Sequence, residues 1–345
     1  MNKEYILNEL RLAYAKPNER RVLYCGSSET ASERLNALPF WHYMPTRIIS
    51  AGFHNKVKYI GNALIAQSLG CEEVLTSTNK EWISPFIFDA DDVKNFKSPH
   101  LYDTKAGQLV LAAKELKEEL DANGDSDTKI VIPDTAAPLS LAELMWGDTF
   151  YECLACEESA VHSLLQKITD FTIEFTLEFQ RAVGDRYAPC PWPGVWSEGK
   201  GCYLGDDAMS LVSPKMHLEF SVPYINQISS ACGGLYYHSC SWYEQYFDNI
   251  AKIEGVKLYN WNPGNSTDSG VIMREFGGRA VLAPHLTKGM HLDNDILKQG
   301  HNFSDEFALF KYIYDNIPQN SAVIFYFSDI CQDATLIEKL HTFFQ

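Results

Sequence analysis

With 345 residues and 46% hydrophobic content, the chain can bury a large core and sits at the upper edge of what one domain holds. Its 45 acidic residues against 29 Lys and Arg give a formal net charge of -16, which opposes binding to nucleic acid or to an anionic membrane, and no basic run offsets it. The start "NKEYILNELRLAYAKPNERR" is too charged for a signal peptide, no window of about 18 uncharged apolar residues follows, and the nine cysteines are an odd number spread over a long chain, so a cytoplasmic protein with reduced thiols is expected.

In chain order, the first third carries two candidate strands, "TRIISAGFH" and "EEVLTST", separated by the helical pattern "VKYIGNALIAQSL". From about residue 128 short apolar runs alternate with helical patterns: "TKIVIPD", "KGCYLGDD", "GGLYYHSC", "GVKLYNWN", "GRAVLAPH" and "SAVIFYFSD" each lead into a helix-like segment. Strands alternating with helices at this spacing predict parallel βαβ units, and the six countable units, with the two candidate strands of the first third supplying the remainder, predict an α/β fold, a (β/α)8 TIM barrel. The barrel is assigned to residues 46–345 and an N-terminal extension packed on it to residues 1–45; an open doubly wound sheet is the alternative, though no GxGxxG follows a first strand.

Between these runs, "ESAVHSLLQKI" and "TDFTIEFTLEFQRAVG" keep helical spacing without a turn signal, which predicts one long helix. Its two-sided apolarity points to deep packing or to a contact between two copies of the chain, a homodimer. "CLAC", Cys153 to Cys156, has CxxC spacing but no second pair and reads as buried thiols. "YAPCPWPGVW" reads as a rigid loop, a lid, a partner surface or simple packing. Ser213 before Pro214 marks a helix start, Pro223 a kink or a second start, and Gly233 and Gly234 an end.

The chemistry gathers at "GGLYYHSC". On a strand, residues two apart share a face, so His238 and Cys240 point together, at the carboxyl end where β/α barrels place their sites. Imidazole and thiolate suit zinc, which needs at least one further protein ligand. Cys331, just beyond the last strand, is the first candidate, with Cys232, Asp329 and His285 as rivals. The opposing reading is a buried imidazole beside an inert thiol, since free cysteine is among the most buried residue types. Other residues at strand ends can line the same mouth: Asp206, Asp207, Tyr259 and His285 as catalytic groups, Asp134 and Asn262 as cofactor-binding groups. Each has a plainer role open to it, Asp134 and Asp207 as loop caps, Tyr259 and Asn262 as core polar groups.

The segment "GDDAMSLVSPKMHLEFSVPYINQISSACGGLYYHSC", with "APLSLAELMWG" and "ACEESAVHSLLQKITDFTIEF" before it and "LYNWNPGNSTD" after it, resembles the uroporphyrinogen decarboxylase-like superfamily over roughly Lys129 to His285. The His-x-Cys form is similar to that superfamily's zinc-dependent corrinoid methyltransferases. The resemblance implies zinc held by His238, Cys240 and Cys331, a corrinoid protein presenting methylcobalamin as partner, and a thiol or tetrahydrofolate as methyl acceptor. It also allows a porphyrinogen decarboxylase, or a barrel that binds a corrinoid or tetrapyrrole without chemistry. Against the decarboxylase, Arg11, Arg20, Arg21, Arg34 and Arg47 form no pattern suited to gripping a many-carboxylate substrate.

Overall fold

The computed structural model describes residues 3–26, 47–54, 57–192, 194–287, 289, 301–327 and 334–343. Strands β1 (Arg21–Gly26), β2 (Ile48–Ser50), β3 (Glu72–Leu75), β4 (Glu81–Ser84), β5 (Lys129–Val131), β6 (Tyr187–Ala188), β7 (Cys202–Gly205), β8 (Leu235–Ser239), β9 (Val256–Trp261), β10 (Val281–Leu286) and β11 (Ala322–Phe327) alternate with helices through most of the chain. Six form one sheet in the order β1-β11-β10-β9-β8-β7, and β2-β5-β6 form a second. Every ladder in both is parallel. A bridge from Ala136 to Gly205 joins the sheets, with the Gly205 N–H donating to the Thr135 carbonyl at 3.0 Å and the Ala137 N–H to the Gly205 carbonyl at 2.8 Å. Neighbours along the large sheet follow one another in sequence, and the last strand pairs with the first. No ladder between β1 and β2 is found among the described residues.

Parallel strands covered on both faces read as continuous apolar runs, which is why β7, β8, β10 and β11 are buried at every position. One face packs against helices: Leu204, Tyr237, Tyr259, Trp261, Leu282 and Phe325 meet Ile228 of the helix Val222–Cys232, Phe276 of Ser269–Phe276 and Phe310 of Glu306–Asp315. The other face gathers Tyr203, Tyr236, Leu258, Ala283, Ile324 and Tyr326 with Leu7 and Leu10 of the N-terminal helix Lys3–Ala15 and with Val195 and Trp196. Cys190, Val195 and Trp196 of the proline- and tryptophan-rich loop are therefore packed against the inner face, and the Tyr14 hydroxyl donates to the Trp196 carbonyl at 2.9 Å.

Most local expectations agree with this architecture. Ser213 caps its helix by accepting from the Met216 N–H at 3.2 Å, a second helix begins at Val222 around Pro223, and Gly233 ends it in the left-handed conformation. Two differ. "RVLYCG", inside the expected N-terminal extension, is β1 and pairs with β11 along its length. "EEVLTST" gives β3, which pairs antiparallel with β4 in a separate two-stranded ribbon. Glu72 and Glu73 made it a poor candidate for a strand covered on both faces, and its four residues are exposed.

The long helix Glu158–Val183 packs within the chain, burying Leu164, Leu165, Ile168, Phe171, Phe175 and Phe179 against the helices Lys105–Ala122 and Pro138–Trp146. Among the described residues no helix is long and apolar enough to cross a membrane. Phe175 is fully buried whereas Glu174, one residue away, faces solvent. Phe175→Ala is expected to lower unfolding free energy by about 3–5 kcal/mol in a denaturant titration, and Glu174→Ala to change it by under about 0.5 kcal/mol. Equal effects would contradict the burial of this face.

Candidate metal centre

The register of the large sheet aligns Gly205, His238, Asn260 and Ala283 on four adjacent strands. His238 follows Tyr236 on the inner face of β8 and is 4% exposed. The Asn260 amide Nδ2 donates to the Ala283 carbonyl, which turns its Oδ1 toward His238 and makes it the acceptor for Nδ1. His238 therefore carries its proton on Nδ1 and presents the Nε2 lone pair to the mouth, the arrangement of a metal-ligating imidazole oriented by a neighbouring oxygen. That Nε2 lies 3.3 Å from Cys240 Sγ and 3.8 Å from Asp207 Oδ1.

Asp207 immediately follows the residue after β7, and its Oδ1 accepts the Cys240 N–H at 2.7 Å. The ligand atoms of Asp207, His238 and Cys240 all lie within 4.8 Å of one another. Nitrogen, sulfur and oxygen donors at this spacing fit zinc. Burial lowers the His238 pKa, opposed by the Asp207 charge and by Asn260, so a neutral imidazole is favoured. Burial first, then Asp207, push the Cys240 thiol up to about 12. Without a cation, the thiol thus keeps its proton at neutral pH.

Two more expected residues sit at this mouth. Asp134 lies beyond β5, and burial followed by the Asp207 charge raise its carboxyl to about 7. His285, in register with Tyr326, packs edge-on against Trp192 at 4.8 Å and Tyr326 at 5.1 Å, and its buried Nε2 has no hydrogen-bond partner among the described residues. Burial, then the His238 charge, lower its pKa to about 4.

The remaining candidates lie elsewhere. Asp206 turns away from Asp207 and is fully buried, accepting from His217 Nε2, Ser221 and Tyr237. Tyr259 is on the helix-facing side of β9, edge-on to Trp242 and Tyr237. Asn262 uses its Oδ1 to accept from the Gly264 N–H at 2.8 Å. Cys232 is buried in the helix-facing core, and Cys331 and Asp329 lie outside the described residues. The "CLAC" pair is not fully buried, since Cys156 is exposed at the end of its helix, where its thiol donates to the Glu152 carbonyl. Arg11 pairs with Glu198, Arg20 donates to the Ile317 carbonyl and Arg21 pairs with Glu19.

Sequence reasoning passed over Asn260, the residue that orients His238. Its signal is strand parity: in "VKLYNW" the polar Asn260 shares a face with Leu258, between two aromatic residues that face the helices.

No protein-family model matches the sequence, and no curated protein sequence matches it significantly. Among solved structures, a methyltransferase from Methanosarcina mazei superimposes with a TM-score of 0.57 and 14% sequence identity, covering 83% of this chain and 78% of that one. A B12-independent methionine synthase from Shewanella sp. W3-18-1, in complex with selenomethionine, gives 0.43 and 10%, covering 85% of this chain and 79% of its own, too loose a fit to bear on the fold. The chain shares the fold of the Methanosarcina methyltransferase.

Proposed function

We propose that the protein is a zinc-dependent methyltransferase built on a (β/α)8 barrel, with the two parallel sheets as parts of one barrel wall. The observation that carries this reading is the Asp207, His238 and Cys240 cluster at the carboxyl ends of β7 and β8, with the His238 lone pair aimed into it by Asn260. Cys331, which follows β11 in the sequence, is proposed to complete the set. The fold shared with a methyltransferase supports the reaction class.

Zinc held there would supply a coordination position at which an acceptor thiol loses its proton yet stays nucleophilic. The donor is proposed to be a methylated corrinoid on a partner protein and the acceptor a thiol, with tetrahydrofolate as the alternative. In the transfer a carbon–sulfur bond forms, the cobalt–carbon bond breaks, and its electron pair stays on the corrinoid. Asn260 holds His238 in the ligating tautomer, and Asp207 fixes the backbone of Cys240. Asp134, with a carboxyl near neutrality, can take up the proton that the acceptor releases. His285 offers a neutral hydrogen-bonding nitrogen at the same mouth, with the Trp192 ring edge-on to it.

The direct test is methyl transfer from methylcobalamin to a panel of small thiols and to tetrahydrofolate. Zinc-loaded protein is expected to demethylate the corrinoid, while metal-stripped protein and the His238→Ala and Cys240→Ser variants fall by at least about 100-fold. Equal rates in all forms would sink the proposal.

Metal affinity carries a second test. The Cys240 thiol, at about 12, is protonated across the neutral range in the metal-free protein, so ligation must release that proton and affinity must rise with pH. His238, held neutral by burial, adds no further slope above about pH 7. The logarithm of the zinc association constant should climb by about one unit per pH unit between about pH 7 and 9 through loss of the Cys240 proton. A pH-independent affinity would exclude thiolate ligation.

A further inference from the structure

The fully buried Asp206 carboxylate, 0% exposed, is the most heavily bonded acid near the centre, yet it faces away from it. His217 Nε2 donates to its Oδ2 at 2.8 Å, and the Tyr237 hydroxyl donates to the same oxygen at 3.0 Å. The Ser221 hydroxyl lies 3.2 Å from both carboxylate oxygens. His217 is itself held in one tautomer, because the Asn249 amide donates to its Nδ1 at 3.3 Å and to the Pro214 carbonyl at 2.7 Å. These donors come from the helix Pro214–Phe220, from the junction at Ser221 and from the outer face of β8, so one carboxylate ties three pieces of the chain together.

The backbone shows what the tie holds. The Asp206 N–H donates to the His238 carbonyl at 2.7 Å, and the next carboxylate, Asp207, accepts the Cys240 N–H at 2.7 Å. The Asp206 backbone N–H and the Asp207 carboxylate thus bracket the main chain between the two proposed ligands, one from each end. Burying a carboxylate is costly, and a wholly apolar cluster in place of Asp206, His217, Ser221 and Tyr237 would fill the same space at no greater cost. Packing alone therefore gives no reason for an acid at this position.

The geometry points to Asp206 as a positioning residue: with His217, Ser221 and Tyr237 it forms a network that sets Asp207 and the His238–Cys240 backbone at metal-binding spacing. This rests on the metal-site reading above. Asp206 does not touch the proposed substrate or metal; it acts through the residue beside it.

The test is titration of metal-free protein with Co2+, following affinity by competition with a chromophoric chelator and following the thiolate-to-cobalt absorption band, with thermal unfolding measured alongside. Wild-type protein is expected to bind one Co2+ and show the band. Asp206→Asn should weaken binding by about 10- to 100-fold, and Tyr237→Phe, which removes only a hydroxyl, by several-fold, both with an altered band shape. If Asp206→Asn does not fold, Tyr237→Phe and Ser221→Ala decide the question. Folded variants with wild-type affinity and band would overturn the positioning role while leaving the metal site standing. Wild-type protein without a thiolate band would overturn the metal reading, and the positioning role with it.

Discussion

The hydrogen bond between His238 and Asn260 is the interaction on which the candidate centre depends. It forms because β8 and β9 run parallel in a register that sets the two residues side by side, and because Asn260 commits its amide to Ala283 on the next strand. Sheet geometry thereby becomes chemical state: the register selects the Asn260 orientation, the orientation selects the imidazole tautomer, and the tautomer leaves one lone pair facing Cys240 and Asp207. A shift of one residue would point His238 into the helix-facing layer, where Tyr237 now lies.

The rest of the fold holds that register. Aromatic and aliphatic side chains on the outer face of β7 to β11 pack against helices, and the N-terminal helix with the Val195–Trp196 segment covers the inner face. The acids, although the chain is strongly acidic overall, are sorted by role. Asp206 is surrounded by hydrogen-bond donors inside the protein, while Asp207 and Asp134 lie together at the mouth and raise the cost of leaving it without a cation.

Much of this was legible because it rests on local rules. The parity of "YYHSC" gave the shared face of His238 and Cys240, Ser213-Pro214 gave a helix start, and the spacing from Val161 to Phe179 gave one long helix. What could not be read depends on partners distant in sequence. The six residues of β1 look like part of a charged extension until β11 pairs with them. Asp206 and Asp207 are chemically identical in sequence, and only their place at the end of β7 sends one to the core and the other to the mouth. Tyr259 stood out by its hydroxyl, whereas its neighbour Asn260 faces the centre, because parity within an all-apolar run is fixed by the sheet and not by an alternation of polar residues.

The central claim is that Asp207, His238 and Cys240 share one metal ion. Zinc K-edge X-ray absorption of the zinc-loaded protein tests it most directly, because scattering distances separate sulfur at about 2.3 Å from nitrogen and oxygen at about 2.0–2.1 Å. The account predicts a four-coordinate site with at least one sulfur and one imidazole, losing a sulfur in Cys240→Ser and the imidazole in His238→Ala. A shell of light atoms alone, unchanged by either substitution, would contradict it.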